Sequence, residues 1–159
     1  MVKPLRIVFV CLGNICRSPL AEVVVRGQAE KRGLAHQFEF ASAGTGDWHV
    51  GGSADVRSAA IAQKYGLDLS QHRAQQITAS KLSQWDWFVA MDADNRESLL
   101  AMGVPAERLL MMRQFESDSD MIADVPDPYY GGAHGFEDAY HMLKANADAL
   151  LDYFIKGTD

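Results

Sequence analysis

Residues Arg6 to Ala21, RIVFVCLGNICRSPLA, constrain the fold more tightly than any other stretch. Ile7, Val8, Phe9 and Val10 form an unbroken apolar, largely β-branched run, the pattern of a strand buried on both faces of a parallel sheet. The strand ends at Cys11. Gly13 and Asn14 follow, the residue types that most readily take left-handed backbone conformations. Ser18-Pro19 then opens a helical pattern carried by Ala21, Val24, Val25 and Ala29. Strand, tight loop and helix succeed one another directly.

A loop so placed turns several backbone N–H groups into one concavity at the positive end of the helix dipole, which makes an anion site. Cys11 lies on its rim. A thiol beside a helix N-terminus and an arginine is expected to have its pKa lowered from about 8.5 into a range of roughly 3.5 to 7.5, and so to act as a nucleophile at neutral pH. Five residues separate Cys11 from Arg17, enough for the guanidinium to fold back and grip two oxygens of a tetrahedral oxyanion through its planar fork. A lone cysteine reads as a small buried hydrophobe. Here the glycine-bearing turn, the arginine and the Ser-Pro helix start all agree instead with a phosphate cradle.

The rest of the chain alternates strand and helix. The first helix is expected to end near Gly33, and Phe38-Glu39-Phe40-Ala41-Ser42 reads as a second strand. After a glycine-rich loop from Ala43 to Gly52, Ser53 reads as the N-cap of a second helix, with Val56, Ala59, Ala60 and Gln63 along one face and Gly66 as its stop. Thr78 is placed to cap a short helix through Trp85. Trp87 to Met91 reads as a third buried strand running into Asp92, followed by a helix to about Met102 that Gly103 and Pro105 stop. Leu109 to Met112 is the fourth strand. From Arg113 to Gly135 the pattern breaks into acidic loop; then Phe136, Tyr140, Leu143, Ala147, Leu150, Leu151 and Phe154 recur at helical spacing. The order predicts a doubly wound, four-stranded parallel sheet with helices on both faces and a phosphate-binding loop after the first strand, ligands binding at the C-terminal strand ends.

At 159 residues the chain is expected to form one domain, 1–159, with a core that needs no disulfide or metal. A net charge of −6 argues against a general nucleic-acid binder, so any phosphate site must be local. No apolar segment is long enough to suggest a membrane span or signal peptide, and a cytoplasmic location is the expectation. The two cysteines share one loop and give neither a secreted disulfide framework nor a zinc ligand set.

V-C-L-G-N-I-C-R-S-P resembles the signature of the low-molecular-weight protein tyrosine phosphatases, and Asp127-Pro128-Tyr129-Tyr130 resembles that family's general-acid loop. The resemblance covers essentially the whole chain. It implies a cofactor-free, metal-free enzyme acting on tyrosine-phosphorylated proteins. Cys11 would attack phosphorus and Arg17 would bind phosphate together with the loop from Leu12 through Gly13, Asn14, Ile15 and Cys16 to Ser18. Asp127 would protonate the leaving oxygen. Trp48 and Tyr129 resemble the family's aromatic walls, and Asn14, Ser18, Ser42 and His72 the hydrogen-bonded group that holds the loop in shape. Gln75 departs from the pattern, since relatives often carry Arg there.

An arsenate reductase of similar fold would need further cysteines near the third strand, and Ser80 to Asn95 contain none. The protein-arginine phosphatases it also resembles place Thr where this chain has Ile15. A phosphotyrosine-binding module without turnover is the rival from another class.

Overall fold

The computed structural model describes residues 3–116, 121–130, 132 and 134–156. Its sheet contains β1 (Leu5–Cys11), β2 (Phe38–Gly44), β3 (Trp87–Ala90) and β4 (Leu109–Met111) in the order β2-β1-β3-β4, every pairing parallel. β1 is therefore interior, and Ile7, Val8, Phe9 and Val10 are each 0% exposed. Alternate side chains leave a strand on opposite faces. Ile7 and Phe9 join one core with α1 (Arg17–Lys31) and α4 (Gly135–Lys156), while Val8 and Val10 join another with α3 (Ala93–Met102) and the 3-10 stretch Ala79–Gln84. Two cores on two faces are what the uninterrupted apolar run requires. Burying each such side chain stabilises by about 1.5–3 kcal/mol.

The seven positions read as the apolar face of the last helix are all buried in α4. Gly103 stops α3 in the left-handed conformation, at φ 113°. Thr78 flanks the 3-10 stretch but caps it with no side-chain hydrogen bond. Of the expected acidic loop, residues 117–120, 131 and 133 lie outside the described residues. Among the described residues no helix is long and apolar enough to cross a membrane.

α2 (Val56–Lys64) differs from expectation. Its N-cap is Asp55, whose carboxylate accepts the N–H of Arg57 at 2.8 Å, and Ser53 lies before the helix. The start is delayed because the Asp55 N–H bonds to the carbonyl of Ile15 at 2.9 Å, so this residue closes the loop before the helix begins. The inward face is also shifted. Ser58 and Ala62 are buried, whereas Val56 is 82% exposed. The Ser58 hydroxyl donates to the carbonyl of Cys16 at 3.0 Å, and that polar contact sets the helix rotation where apolar periodicity in an alanine-rich segment could not.

Candidate active site

The parallel strands deliver their C-terminal ends to one edge, where Cys11 ends β1 and Asp92 follows β3. The loop from Leu12 to Cys16 is shaped by its carbonyls. Cys11 and Leu12 C=O accept from Thr45 and Gly46 N–H at 2.9 Å each, Asn14 C=O from His72 Nε2 at 2.7 Å, Ile15 C=O from Asp55 N–H at 2.9 Å, and Cys16 C=O from the Ser58 hydroxyl at 3.0 Å. In a planar trans peptide the following N–H points opposite to the carbonyl, and among the described residues no peptide is cis. Tying five carbonyls to the surrounding scaffold therefore turns the N–H groups of Leu12, Gly13, Ile15, Cys16 and Arg17 away from it. α1 has no side-chain cap, so its first-turn N–H groups stay available to an anion.

Asn14 makes this turn possible. Its φ of 57° is the only positive value at a non-glycine among the described residues, a region Asn tolerates better than most L-residues. The side chain is fully buried and fully bonded, donating to Ser18 Oγ at 2.8 Å and Ser42 Oγ at 3.0 Å and accepting the Gln75 N–H at 2.9 Å. Its own N–H points to the Cys11 sulfur at 3.3 Å, and Ser18 Oγ lies 3.0 Å from the same sulfur. Asn14, Ser18, Ser42 and His72 thus form one connected group beneath Cys11. Gln75 belongs to it as well, since its side-chain amide donates to the carbonyl of Ser42 at 2.9 Å. Gly13 does not take the left-handed conformation. Its missing Cβ makes room for the His49 ring, whose Cδ2 would lie 3.1 Å from a β-carbon there.

A cavity of about 430 Å³ opens above the loop, lined by Cys11, Leu12, Gly13, Ile15, Cys16, Arg17, Trp48, His49, Asp127 and Tyr129. Trp48 is 70% and Tyr129 43% exposed, standing at the mouth. Arg17 is 3% exposed, and its Nη1 donates to Asp92 at 2.5 Å and to the carbonyl of Val125 at 3.0 Å. Burial opposes the guanidinium charge, but Cys11, Asp92 and Asp127 outweigh it and hold its pKa above the ordinary value. The Asp127 carboxylate accepts the Tyr129 N–H at 3.1 Å and lies 3.6 Å from Arg17 Nη2. Cys16 is a different thiol: burial first, then the carboxylates of Asp55 and Asp127, push its pKa up and keep it protonated.

The expected catalytic trio and both aromatic walls therefore line one cavity, with the expected supports beneath. Two residues were not read as part of the site. Asp92 holds Arg17, and its sequence signal was only its position at a strand end. His49 forms part of the wall, for which adjacency to Trp48 was the available clue.

Known proteins resemble this chain along nearly its whole length. A family model described as low molecular weight phosphotyrosine protein phosphatase matches residues 6–157. A low molecular weight protein-tyrosine-phosphatase of Streptomyces coelicolor is 43% identical over 150 residues, covering 92% of this chain and 91% of that protein. The low molecular weight protein-tyrosine phosphatase A of Mycobacterium tuberculosis is 41% identical over 154 residues, covering 96% and 93%. Among solved structures, YfkJ from Bacillus subtilis superposes with a TM-score of 0.89 at 36% identity, covering 98% of each chain.

Proposed function

The chain belongs to the low molecular weight phosphotyrosine protein phosphatase family, and from that premise we propose that it hydrolyses phosphotyrosine in proteins through a phosphocysteine on Cys11. The thiolate attacks phosphorus as the bond from phosphorus to the tyrosyl oxygen breaks, and Asp127 gives that oxygen its proton. The Asp127 carboxylate then takes a proton from water, whose oxygen attacks phosphorus and breaks the bond to sulfur, releasing inorganic phosphate and restoring the thiolate. Arg17 and the inward N–H groups hold the equatorial oxygens as charge builds on them. Asp92 fixes Arg17 from behind.

The observation that carries this reading is the loop itself, five carbonyls tied to the scaffold so that the following N–H groups face away from it, beside a cysteine whose sulfur meets a hydroxyl and an amide. Trp48 and Tyr129 at the mouth suit a phenyl ring, and Ile15 supplies no hydroxyl for a phosphoguanidine. The test is turnover of phosphotyrosyl and phosphoarginyl peptides by the native protein and by Cys11→Ser. Phosphotyrosine turnover is expected to exceed that of phosphoarginine and to vanish in Cys11→Ser, a serine hydroxyl being a poor nucleophile. Residual hydrolysis by a clean Cys11→Ser preparation would overturn the nucleophile.

A further inference from the structure

Asp124 and Val125 lie just before Asp127, and neighbouring elements grip them. Val125 is fully buried; its N–H donates to the carbonyl of Met91 at 2.8 Å and its own carbonyl accepts from Arg17. Asp124 does not line the cavity. Its carboxylate accepts the N–H of Ala93 at 2.9 Å, at the first residue of α3, where the helix dipole favours a negative charge. Its carbonyl accepts from Arg113 Nη1 at 2.7 Å. Arg113 is in turn forked onto Glu116, at 2.7 Å from Nε and 2.9 Å from Nη2. Glu116 accepts from Asn146 Nδ2 at 2.7 Å. Asn146 is 2% exposed on α4, a polar side chain among buried Leu143, Ala147 and Leu150. A continuous line of charge-assisted contacts thus joins the interior of α4 to the backbone just before Asp127.

By contrast, among the described residues the Asp127 carboxylate has a local bond to the Tyr129 N–H and a long approach to Arg17, and it is 29% exposed. These contacts alone hold it loosely, so the backbone behind it contributes to its position. We propose that Asp124 and Arg113 are positioning residues for Asp127, fixing residues 124–125 so that its carboxyl meets the leaving oxygen. The proposal rests on the reading of Asp127 as general acid. Displacing a reacting group by about an ångström can cost on the order of a hundredfold. Here the loss should fall where the leaving oxygen most needs a proton, and largely spare phosphate binding.

The experiment measures kcat/KM against aryl phosphates whose leaving phenols run from strongly acidic to tyrosine-like, with inhibition by inorganic phosphate as the binding readout. Asp124→Ala and Arg113→Ala are each expected to lose roughly ten- to a hundredfold against the most basic phenol. Against the most acidic phenol the loss should be slight, and phosphate inhibition should change far less than turnover of the basic phenol, since Val125 keeps its own bond to Met91 and Arg17 keeps Asp92. Asp124→Asn, whose amide oxygen can still accept the Ala93 N–H, should recover most of the loss. A uniform loss across the series, or no loss, in either alanine variant overturns the proposal; should one fail to fold, the other and Asp124→Asn decide. Asp127→Asn separates the premise: if its loss is independent of the phenol, the general-acid reading falls and this proposal with it. A steep dependence in Asp127→Asn beside a flat one in Asp124→Ala overturns only the positioning role.

Discussion

At the residue scale, Asp92 shows how one side chain can serve two elements. One carboxylate oxygen caps α3 by accepting the Asn95 N–H at 2.7 Å, and the other holds Arg17. Asp92→Asn can keep the cap but loses the charge facing the buried guanidinium, whereas Asp92→Ala loses both. Inorganic phosphate inhibition should weaken in both variants, because Arg17 loses the partner that orients it. Thermal stability should fall further in Asp92→Ala, the lost cap adding about 0.5–2 kcal/mol. Equal melting temperatures for the two variants would show that the cap contributes nothing. Cys11 and Arg17 were legible in sequence because nucleophile, turn and clamp are contiguous. Asp92 was not, because its pairing with Arg17 spans 75 positions and leaves no local pattern.

At the scale of elements, the end of β2 and the loop after it brace the loop after β1, and two glycines there do different work. A β-carbon at Gly44 would lie 2.8 Å from the carbonyl oxygen of Leu12, a backbone atom of the phosphate loop. At Gly46 it would lie 2.0 Å from Cζ3 of the Trp48 ring, a side chain that is 70% exposed. Backbone held by its own hydrogen bonds cannot yield, but an exposed ring can swing. Gly44→Ala should therefore destabilise by about 1–3 kcal/mol and abolish most turnover. Gly46→Ala should leave stability nearly unchanged and raise KM for phosphotyrosyl peptides by roughly two- to tenfold, the value of lost aromatic stacking. Thermal melts and steady-state kinetics on the pair would check this, and an unchanged KM in Gly46→Ala would remove Trp48 as a wall. The same junction explains why α2 was misplaced by sequence alone. Its start and rotation follow from bonds to the carbonyls of Ile15 and Cys16, contacts between segments about forty residues apart, whereas α4 was legible because its apolar face repeats through 22 residues.

At the scale of the whole molecule, acid stability follows from how carboxylates join the elements. Arg6 holds the Asp86 pKa below its ordinary 3.8, chiefly through a side-chain hydrogen bond, at the point where β1 and β3 enter the sheet. For Asp55, burial opposes ionisation, but the Arg57 side chain and N–H outweigh it and lower the pKa. Arg113 lowers that of Glu116 below its ordinary 4.5, with burial opposing and Asn146 assisting. A group whose pKa is lower folded than unfolded binds protons more readily when unfolded, so its stabilisation is complete above the unfolded value and is lost as pH falls through the folded one. All three shifts have this sign. The melting temperature should therefore vary little from these groups at neutral pH and fall once the pH drops below about 4.5. Asp86→Asn isolates one contribution: it should lower the melting temperature at neutral pH while reducing the further loss between pH 5 and 3, because the proton that the unfolded chain would otherwise take up at position 86 has no site left. Exposed pairs stabilise only modestly, so the expected change is a small drop in the melting temperature at neutral pH together with a shallower slope below it. An Asp86→Asn melting curve parallel to that of the native protein across that range would show that the Arg6 pair does not couple the sheet to pH.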